Sequence, residues 1–402
     1  MQVTLLGVGG GTPEGMSGEA LAVLERAGLA VGAERLLAAL PEIAGQRRCA
    51  AVRAEEIAAL LEAANESRAC VVLSGDTGFW SGARTLLPLL RERGIEHRVL
   101  PGLASVQLLA ARLKRPWQDW TLCSAHGAEC DPVTALLRGK CAFFLTGGDR
   151  TPATLCRELT EAGLGDVRVT VGENLSYAEE RIVETTAAAC ALMRFESLSV
   201  LLVEAIPLPD CPVGGLADEQ FVRGDVPMTK QEVRAAALSK LAVRRGDVIW
   251  DVGAGTGSVS VELALAAREG HVFAIERDEA ACALVETNRR RFGAWNLRLL
   301  RGTAPEELVS LPKPDAVFIG GSGGNLRGII AAALAANPSA RLCISAIALE
   351  TVSDAIQCCK EMDLEIEVTQ IFASRTRPAG ELHLLMANNP VFLLTAQRGE
   401  TI

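Results

Sequence analysis

The sequence predicts an α/β protein of two domains, and three observations support this fold class. The chain has 402 residues, which exceeds the usual size of one domain. Short β-rich runs alternate with Ala/Leu-rich helical runs throughout, as in parallel sheets whose strands are joined by helices. Glycine-rich turns follow strands at 7–17 ("GVGGGTPEGMS") and 251–257 ("DVGAGTG"). Such turns commonly bend the backbone around a ligand, so we expect a ligand site in each half.

The N-terminal half opens with a strand over 3–8 and a helix that starts near Ser17. A second helix is predicted near 81–93. Further strands are predicted at 70–75, 96–102, 119–127, 140–148, 166–176 and 198–205. Their alternation with helical runs favours parallel strands.

A stretch rich in proline and glycine, "AIPLPDCPVGGLA" (205–217), predicts a linker. It divides the chain into domains at 1–207 and 208–402. Strands of the second domain are predicted at 246–257, 271–278, 297–308, 314–324, 340–350, 364–374, 382–388 and 391–396. We expect them to form one doubly wound sheet that ends in antiparallel strands.

Composition excludes several classes of function. The formal net charge of −9 argues against nucleic-acid binding, which needs a basic surface. No apolar run reaches the roughly 18 residues of a membrane span, and the N-terminus lacks the basic region of a signal peptide. The 12 cysteines and four histidines are irregularly spaced, so no metal site is predicted. We expect a cytoplasmic protein with reduced cysteines.

The glycine turn at 251–257 has the pattern D-x-G-x-G-x-G, with Asp251 before the turn. A dinucleotide-binding fold would have its third glycine at position 258, which is serine here. The next strand ends in an acid, Glu276. A carboxylate there can accept hydrogen bonds from the ribose hydroxyls of a nucleotide cofactor of any kind, so Glu276 does not discriminate between cofactors. The turn thus departs from the dinucleotide pattern, and NAD remains an alternative cofactor.

This turn and its neighbours resemble the Rossmann-like S-adenosylmethionine-dependent methyltransferases. The resemblance implies that Glu276 binds the ribose hydroxyls and that Thr303 and Ala304 contact the adenine. The implied cofactor site also includes Gly253, Ala254, Gly255, Thr256 and Gly257. An unliganded strand-to-helix turn is the structural alternative.

Three further stretches, 223–238, 314–326 and 344–351, resemble the decarboxylating corrin-pathway methyltransferases that act on carbon 15 of cobalt-precorrin-6B. That resemblance implies that Thr229 lines the cofactor site. It implies a rim facing the tetrapyrrole at Gly320, Gly321 and Ser322. Cations able to steer the carboxylates of the substrate are Lys230, a catalytic candidate, together with Arg375 and Arg377. Ordinary solvated surface charge is the alternative for each cation.

The N-terminal half carries different motifs in order, at 7–17, 71–90, 99–127 and 143–182. They resemble the tetrapyrrole methylase family, and more narrowly its corrin-pathway members that methylate carbon 5 of cobalt-precorrin-7. The resemblance implies a fold of two α/β lobes with S-adenosylmethionine between them.

In this half the resemblance implies cofactor contacts by Gly75, Asp76, Thr77 and Ser105, and a substrate trough at Gly9 and Gly10. Asp76 and His126 are catalytic candidates. A structural loop histidine is the alternative for His126, and a packed loop aromatic is the alternative for Tyr177. The family usually has proline at Gly10 and often at Thr77, so we expect looser loops at these two positions.

The whole chain resembles the precorrin-6Y methyltransferase family, in which the two activities are fused. The resemblance implies methylation at C5 and C15 with decarboxylation of the ring C acetate, with or without cobalt, in a homo-oligomer (a dimer or tetramer). Three alternatives stay open: another tetrapyrrole substrate, one domain that only binds the cofactor, and an NAD enzyme.

Overall fold

The computed structural model describes residues 1–126, 130–211 and 214–399. The chain forms two compact units. The N-terminal unit comprises Met1–Cys130, Lys140–Thr160 and Gly165–Ala205. The C-terminal unit begins at Ile206 and also includes the short segments Asp131–Gly139 and Glu161–Leu164.

The first sheet of the N-terminal unit has five parallel strands in the order β3-β2-β4-β1-β5. Its elements are β1 (Gln2–Gly7), α1 (Gly18–Arg26), β2 (Leu29–Gly32), α2 (Glu34–Ala39), β3 (Arg47–Ala50), α3 (Ala54–Glu62), β4 (Arg68–Leu73), α4 (Ala83–Glu92), β5 (His97–Leu100) and α5 (Ser105–Leu113). Buried clusters cover both faces, because β1 alternates Leu5 into one cluster and Leu6 into the other. The carboxyl ends of β1, β4 and β5 therefore meet at one edge.

The second sheet has the order β6-β7-β10-β8-β9. The elements along this part of the chain are β6 (Thr121–Ser124), α6 (Pro132–Leu136), β7 (Ala142–Leu145), α7 (Pro152–Glu161), β8 (Arg168–Glu173), β9 (Arg181–Thr186), α8 (Ala187–Cys190) and β10 (Ser199–Val203), and of these α6 belongs to the C-terminal unit. The expectation of parallel strands is wrong here, because β10 runs antiparallel to both β7 and β8, and β8 is antiparallel to β9. Every residue of β10 is buried. The apolar sequence of a fully buried strand does not show whether it runs parallel or antiparallel to its neighbours.

The C-terminal unit has a seven-stranded sheet with the order β13-β12-β11-β14-β15-β19-β16. Its elements are α9 (Gln231–Lys240), β11 (Val248–Val252), α10 (Ser258–Ala266), β12 (His271–Glu276), α11 (Glu279–Arg291), β13 (Leu297–Arg301), β14 (Ala316–Ile319), α12 (Leu326–Ala336), β15 (Arg341–Ala346), α13 (Leu349–Glu361), β16 (Glu365–Ile371), β17 (Ser374–Ala379), β18 (Leu382–Ala387) and β19 (Val391–Gln397). The strand β19 is antiparallel to β15 and β16, which confirms the predicted doubly wound sheet with antiparallel strands at its end. The strands β17 and β18 form a separate hairpin.

Packing on both faces fixes this sheet. Within β11, Ile249 belongs to one buried cluster and Trp250 to the other. The Trp250 indole donates a hydrogen bond of 3.1 Å to the Pro312 carbonyl, so its polar atom is satisfied. The strand order reverses beside β11, between β12 and β14, and such a switch point opens a crevice at the carboxyl ends of the strands. None of the helices in the described ranges is long and apolar enough to cross a membrane.

Candidate active sites

A cavity of about 870 Å³ lies in the C-terminal unit at the carboxyl ends of β11, β12 and β14. It brings together most of the site residues predicted for this half. The predicted residues that line it are Thr229, Lys230, Gly253, Ala254, Gly255, Thr256, Glu276, Thr303, Ala304, Gly320, Gly321 and Ser322.

The glycine turn after β11 lets two backbone segments approach each other. Gly253 has φ of +74°, and a Cβ atom there would lie 2.6 Å from the amide nitrogen of Gly321. Gly255 has φ of +57°, a conformation that side chains rarely adopt. Both positions therefore require glycine, and the exposed backbone of the turn forms one wall of the cavity.

The Glu276 carboxylate is held by three backbone amides. Oε2 accepts a hydrogen bond of 2.8 Å from Gly255, and Oε1 accepts bonds of 2.8 Å from Arg277 and 2.9 Å from Asp278. Such bonds orient the carboxylate before any ligand arrives. A carboxylate has about four acceptor positions, so Oε2 keeps capacity for a hydroxyl donor.

Two buried oxygens beside the turn have no hydrogen-bond partner in the described structure: Oδ1 of Asp251 and Oγ1 of Thr256. The other Asp251 oxygen accepts from the hydroxyl of Ser260. Burial raises the pKa of Asp251 to about 7, and the nearby charge of Glu276 acts in the same direction. An unpaired polar atom in such a place is costly unless a ligand or water satisfies it.

A segment before α9, residues 214–230, carries Thr229 and Lys230 to the cavity, and we call it the strap. The fully buried Arg234 anchors it. Its guanidinium bonds Glu262 at 2.8 Å and Asp218 at 2.8 Å. The strap is thus fixed by a buried ion network and not by apolar packing alone.

Three predicted residues of this half lie outside the cavity lining. Gly257, at φ of +75°, would place a Cβ 3.0 Å from the Cα of Val285, so glycine there lets α10 and α11 pack together. Arg375 is bound at 2.8 Å and 2.9 Å to the carboxylates of Glu232 and Asp218, which raises its pKa. Its charge is already neutralised within the protein.

Arg377 lies on β17, on the exposed hairpin. The structure therefore does not bring Arg375 or Arg377 to the predicted substrate rim.

The N-terminal unit has its own cavity of about 430 Å³, lined by residues of both sheets. The predicted residues that line it are Gly9, Gly10, Gly75, Asp76, Ser105 and His126. Gly127 of the "SAHG" motif lies outside the described residues.

Three loops meet here after β1, β4 and β5. Gly9 and Gly75 exchange backbone hydrogen bonds of 3.2 and 2.7 Å. The Asp76 carboxylate accepts from the amide of Gly78 at 2.8 Å and from the amide of Gly102 at 3.1 Å. Asp76 thus connects two of the loops through both of its oxygens.

The two departures from the family pattern have local explanations. A Cβ at Gly10 would lie 2.9 Å from the Cβ of Ser176, so only glycine fits that contact. Thr77 is buried away from the cavity, and its hydroxyl donates to the Leu100 carbonyl at 3.4 Å. The predicted contact of Thr77 with the cofactor stays a prediction.

His126 lies at the exposed side of the cavity lining. Its imidazole occupies space that a side chain at position 147 would fill, since a Cβ on Gly147 would lie 1.8 Å from Nδ1. A glycine that makes room for the ring is consistent with an imidazole held at the cavity.

Comparison with known proteins agrees with this division. Residues 2–191 match the family described as Tetrapyrrole (Corrin/Porphyrin) Methylases, and residues 220–398 match the Precorrin methyltransferase domain. A precorrin-6Y C(5,15)-methyltransferase (decarboxylating) of a Sinorhizobium species is 34% identical over 339 residues, covering 83% of this chain and 81% of that protein. The chain belongs to the precorrin-6Y C5,15-methyltransferase family.

Two further relatives each match about half of this chain. A cobalt-precorrin-6B C(15)-methyltransferase (decarboxylating) of Salmonella typhimurium is 43% identical over 188 residues, covering 46% of this chain and 97% of that protein. The crystal structure of a precorrin-6Y C5,15-methyltransferase from Geobacter metallireducens is 36% identical, covers 47% of this chain and 100% of that chain, and has a TM-score of 0.46.

Family membership confirms the resemblance stated from the sequence, the α/β fold of two methyltransferase domains, and a decarboxylating methyltransferase of corrin precursors as the class of enzyme. An NAD enzyme is not supported. Family membership does not assign roles to individual residues, and the two cavities only show which residues lie together.

Some residues that line these cavities were not predicted from the sequence. In the C-terminal cavity they include Asp225 and Arg277, and in the N-terminal cavity Arg35. Arg277 directly follows Glu276 in "FAIERD", so its place at a strand end was a usable signal. Arg35 lies in an ordinary helical run, and no local signal singles it out.

Proposed function

We propose that this chain uses S-adenosylmethionine to methylate carbons 5 and 15 of a corrin precursor, and that it releases the ring C acetate carboxyl group as CO2. The domain at 208–402 performs the decarboxylating C15 step first, and the domain at 1–207 then performs the C5 step, which converts precorrin-6B to precorrin-8. The observation that supports this is that each unit has its own cavity at the carboxyl ends of a parallel sheet, and each half matches a different methyltransferase family.

S-adenosylmethionine fits the residues of the C-terminal cavity. The glycine turn leaves backbone space that a Cβ at Gly253 would remove, and the oriented Glu276 carboxylate suits the ribose hydroxyls. Thr303 and Ala304 line the side where the adenine would lie, and the unpartnered Thr256 hydroxyl can bond a polar ligand atom. When bound, the cofactor supplies an electrophilic methyl group attached to a sulfonium ion.

For the C15 step, the chain mainly has to position the tetrapyrrole. Correct alignment of two reactants can contribute about 7–11 kcal/mol to catalysis. Lys230 and Arg277 are the cations among the described lining residues, and neither side chain has an ion pair there. They are suited to hold substrate carboxylates, while Gly320–Ser322 form a rim without bulky side chains.

Decarboxylation requires a place for one electron pair. The bond between the acetate methylene and its carboxyl carbon breaks, CO2 leaves, and the electron pair enters the conjugated macrocycle. The methylene carbon then takes up a proton and becomes a methyl group. The protein has to hold the ring in place until that proton arrives. Lys230 would do so by binding another carboxylate of the substrate.

For the C5 step, Asp76 shapes the N-terminal cavity by holding the loops after β4 and β5. Ser105 opens α5 at the cavity, and Gly9 and Gly10 form its floor. The His126 imidazole can bond a substrate carboxylate or move a proton. The C5 carbon itself is the nucleophile, so no strongly basic residue is required.

Two full-length variants test this division of labour. Gly255→Val should abolish methylation at C15, because valine is strained at φ of +57° and fills the cavity. Asp76→Ala should lower the C5 rate by about a hundredfold, since two hydrogen bonds to a charged acceptor are lost, and leave C15 intact. Mass spectrometry of the products from precorrin-6B separates the two steps.

Gly224→Val is a matched control, because a Cβ there meets no atom within 4 Å. If Asp76→Ala slows both steps equally, the assignment of one step to each cavity is wrong. If either wild-type step is absent, the corresponding domain only binds cofactor, which is the alternative that the sequence left open. A different tetrapyrrole substrate would appear as turnover of that compound but not of precorrin-6B.

The remaining expectations stay predictions: a homo-oligomer, a cytoplasmic location and no nucleic-acid partner. Products from cobalt-loaded and metal-free precorrin-6B, compared by the same mass spectrometry, would identify the preferred form of the substrate.

A further inference from the structure

The N-terminal cavity contains a pair of hydrogen-bond donors that have no role in the C5 step described above. Arg35 on α2 and Tyr177, in the loop after β8, both line the cavity. Nη1 of Arg35 donates a hydrogen bond of 3.2 Å to the phenol oxygen of Tyr177. A guanidinium can only donate, so the phenol accepts here and its own proton is left to donate elsewhere.

Arg35 is the cation with a permanent charge among the described residues that line this cavity. The other ionisable lining residues are Asp76, His126 and Tyr177. Both Asp76 oxygens already accept bonds from backbone amides. Within the described residues Arg35 forms no ion pair, and it is exposed. Its charge is therefore available to an anionic ligand.

The loop that carries Tyr177 is held in one conformation before any ligand binds. Asn174 and Ser176 adopt left-handed conformations, with φ of +49° and +75°. The Ser176 amide donates at 2.8 Å to Glu180, which in turn binds Arg112. A non-glycine residue with positive φ persists only where its surroundings hold it, so this loop has one well-determined arrangement.

The glycine run at the start of the chain makes room for the pair. Gly11 has φ of +96°, and a Cβ there would lie 3.2 Å from the Tyr177 hydroxyl and 3.2 Å from Cδ2 of Leu36. Gly10 makes the matching contact with Ser176. The run thus lets the Tyr177 loop lie close to α2.

We propose that Arg35 and Tyr177 form a carboxylate-binding subsite that takes an acetate or propionate side chain of the tetrapyrrole at the C5 step. This rests on the proposed function. The free N–H groups of a guanidinium and an adjacent O–H present several donors to one planar anion, the geometry that carboxylates favour. The subsite would fix which edge of the macrocycle enters the cavity.

The test uses the full chain with Arg35→Gln, Arg35→Lys and Tyr177→Phe, assayed with precorrin-7. Arg84→Gln is the matched control, because Arg84 is exposed, lies in the same unit and does not line the cavity. Arg35→Gln should raise KM for precorrin-7 about tenfold to a hundredfold with kcat nearly unchanged, as expected for a lost charged hydrogen bond. Arg35→Lys should restore part of the loss, and Tyr177→Phe should cost less than Arg35→Gln.

Two further readouts separate a subsite from a structural role. KM for S-adenosylmethionine and the C15 rate should not change. The double variant should lose less than the product of the single losses, because the two side chains are bonded to each other. A rise in KM for S-adenosylmethionine instead would assign the pair to the carboxylate of the cofactor and overturn the proposal. A loss of kcat alone, or no change, would also overturn it.

Failure of the proposed function has a different signature. In that case wild type and Arg84→Gln would both lack C5 methylation. Equilibrium titration of precorrin-7 without cofactor, followed by its absorbance, then tests the subsite directly. Weaker binding by Arg35→Gln than by Arg84→Gln would support it, and equal binding would refute it.

Discussion

At the scale of single residues, Asp251 makes the stability of the C-terminal unit depend on pH. Its carboxyl is fully buried, and burial raises its pKa to about 7. The unfolded chain ionises this group near its ordinary value, so between about pH 4 and pH 7 the folded state binds one more proton than the unfolded state. The free energy of unfolding contributed by this group therefore falls as pH rises through that window, and it levels off above about 7.

Asp251→Asn should remove this contribution. We expect the melting temperature of the variant to fall less than that of wild type between about pH 5 and about pH 8, because over that range wild type loses about 3 kcal/mol of unfolding free energy through this group. Differential scanning calorimetry measures it. Asp354→Asn, an exposed aspartate on α13, should keep the wild-type profile. Equal pH profiles for wild type and Asp251→Asn would contradict the assignment.

Gly257 and Gly255 should respond differently, although they belong to one motif. Alanine at 257 would adopt φ of +75° and approach the Cα of Val285 at 3.0 Å, so it should destabilise the fold by at least about 1–2 kcal/mol. We expect the melting temperature of Gly257→Ala to fall while the folded protein binds S-adenosylmethionine normally, as measured by calorimetric titration. Lost affinity at unchanged stability would place Gly257 in the cofactor site after all.

The glycine turns at 7–17 and 251–257 could be predicted from the sequence because their cause is local: glycine adopts positive φ more readily than any other residue. The state of Arg375 could not be predicted in this way. That side chain is neutralised by Glu232, 143 positions away, and such a partner has no trace in the neighbouring residues. Arg35 and Tyr177 are 142 positions apart and were missed as a pair for the same reason.

At the scale of elements, the strap depends on one buried cation. Arg234 is fully buried between Glu262 and Asp218, and its guanidinium also lies 4.7 Å from the centre of the Phe221 ring. Asp218 is shared with Arg375 of β17, so the network joins the hairpin to the strap. Removal of the central charge would leave two buried carboxylates with too few partners.

Arg234→Met should therefore cost about 3–5 kcal/mol of unfolding free energy, as breaking a buried ion pair does. It should also weaken S-adenosylmethionine binding, because Thr229 and Lys230 lie on the strap. Arg327→Met, which breaks the exposed pair with Glu361, is the control and should cost about 1 kcal/mol or less. Urea unfolding measures the free energy of unfolding of both variants. Equal losses in the two variants would show that the network does not stabilise the strap.

At this scale, strands that alternate with helices could be predicted from the sequence, whereas the strand directions of the second sheet could not. The order of apolar runs correctly gave β11 to β15 and the antiparallel end of the sheet. The strands β2 and β3 were not predicted, since four residues carry little periodic signal. The six-residue strand β9 was not predicted either, and none of its residues is buried. The antiparallel β10 is set by pairing with β7 and β8, which a local sequence window does not contain.

At the scale of the whole molecule, two cavities for two consecutive steps are carried on one chain. The product of the C15 step is the substrate of the C5 step in the proposed function. Covalent linkage keeps the second site at an effective concentration that reaches the millimolar range for short flexible linkers. Whether linkage matters depends on how fast the intermediate escapes into solution.

Two full-length variants that are each defective in one step test the role of linkage without separating the domains. An equimolar mixture of Gly255→Val and Asp76→Ala contains one intact C15 site and one intact C5 site on different chains. If linkage speeds transfer, the mixture at low enzyme concentration should accumulate the singly methylated intermediate and show a longer lag than wild type at matched active-site concentration. Time-resolved mass spectrometry follows both species, and the lag should shrink as enzyme concentration rises because encounter is then faster. Equal lags at every concentration would mean that the intermediate diffuses freely between chains, and that the fusion gives no kinetic advantage.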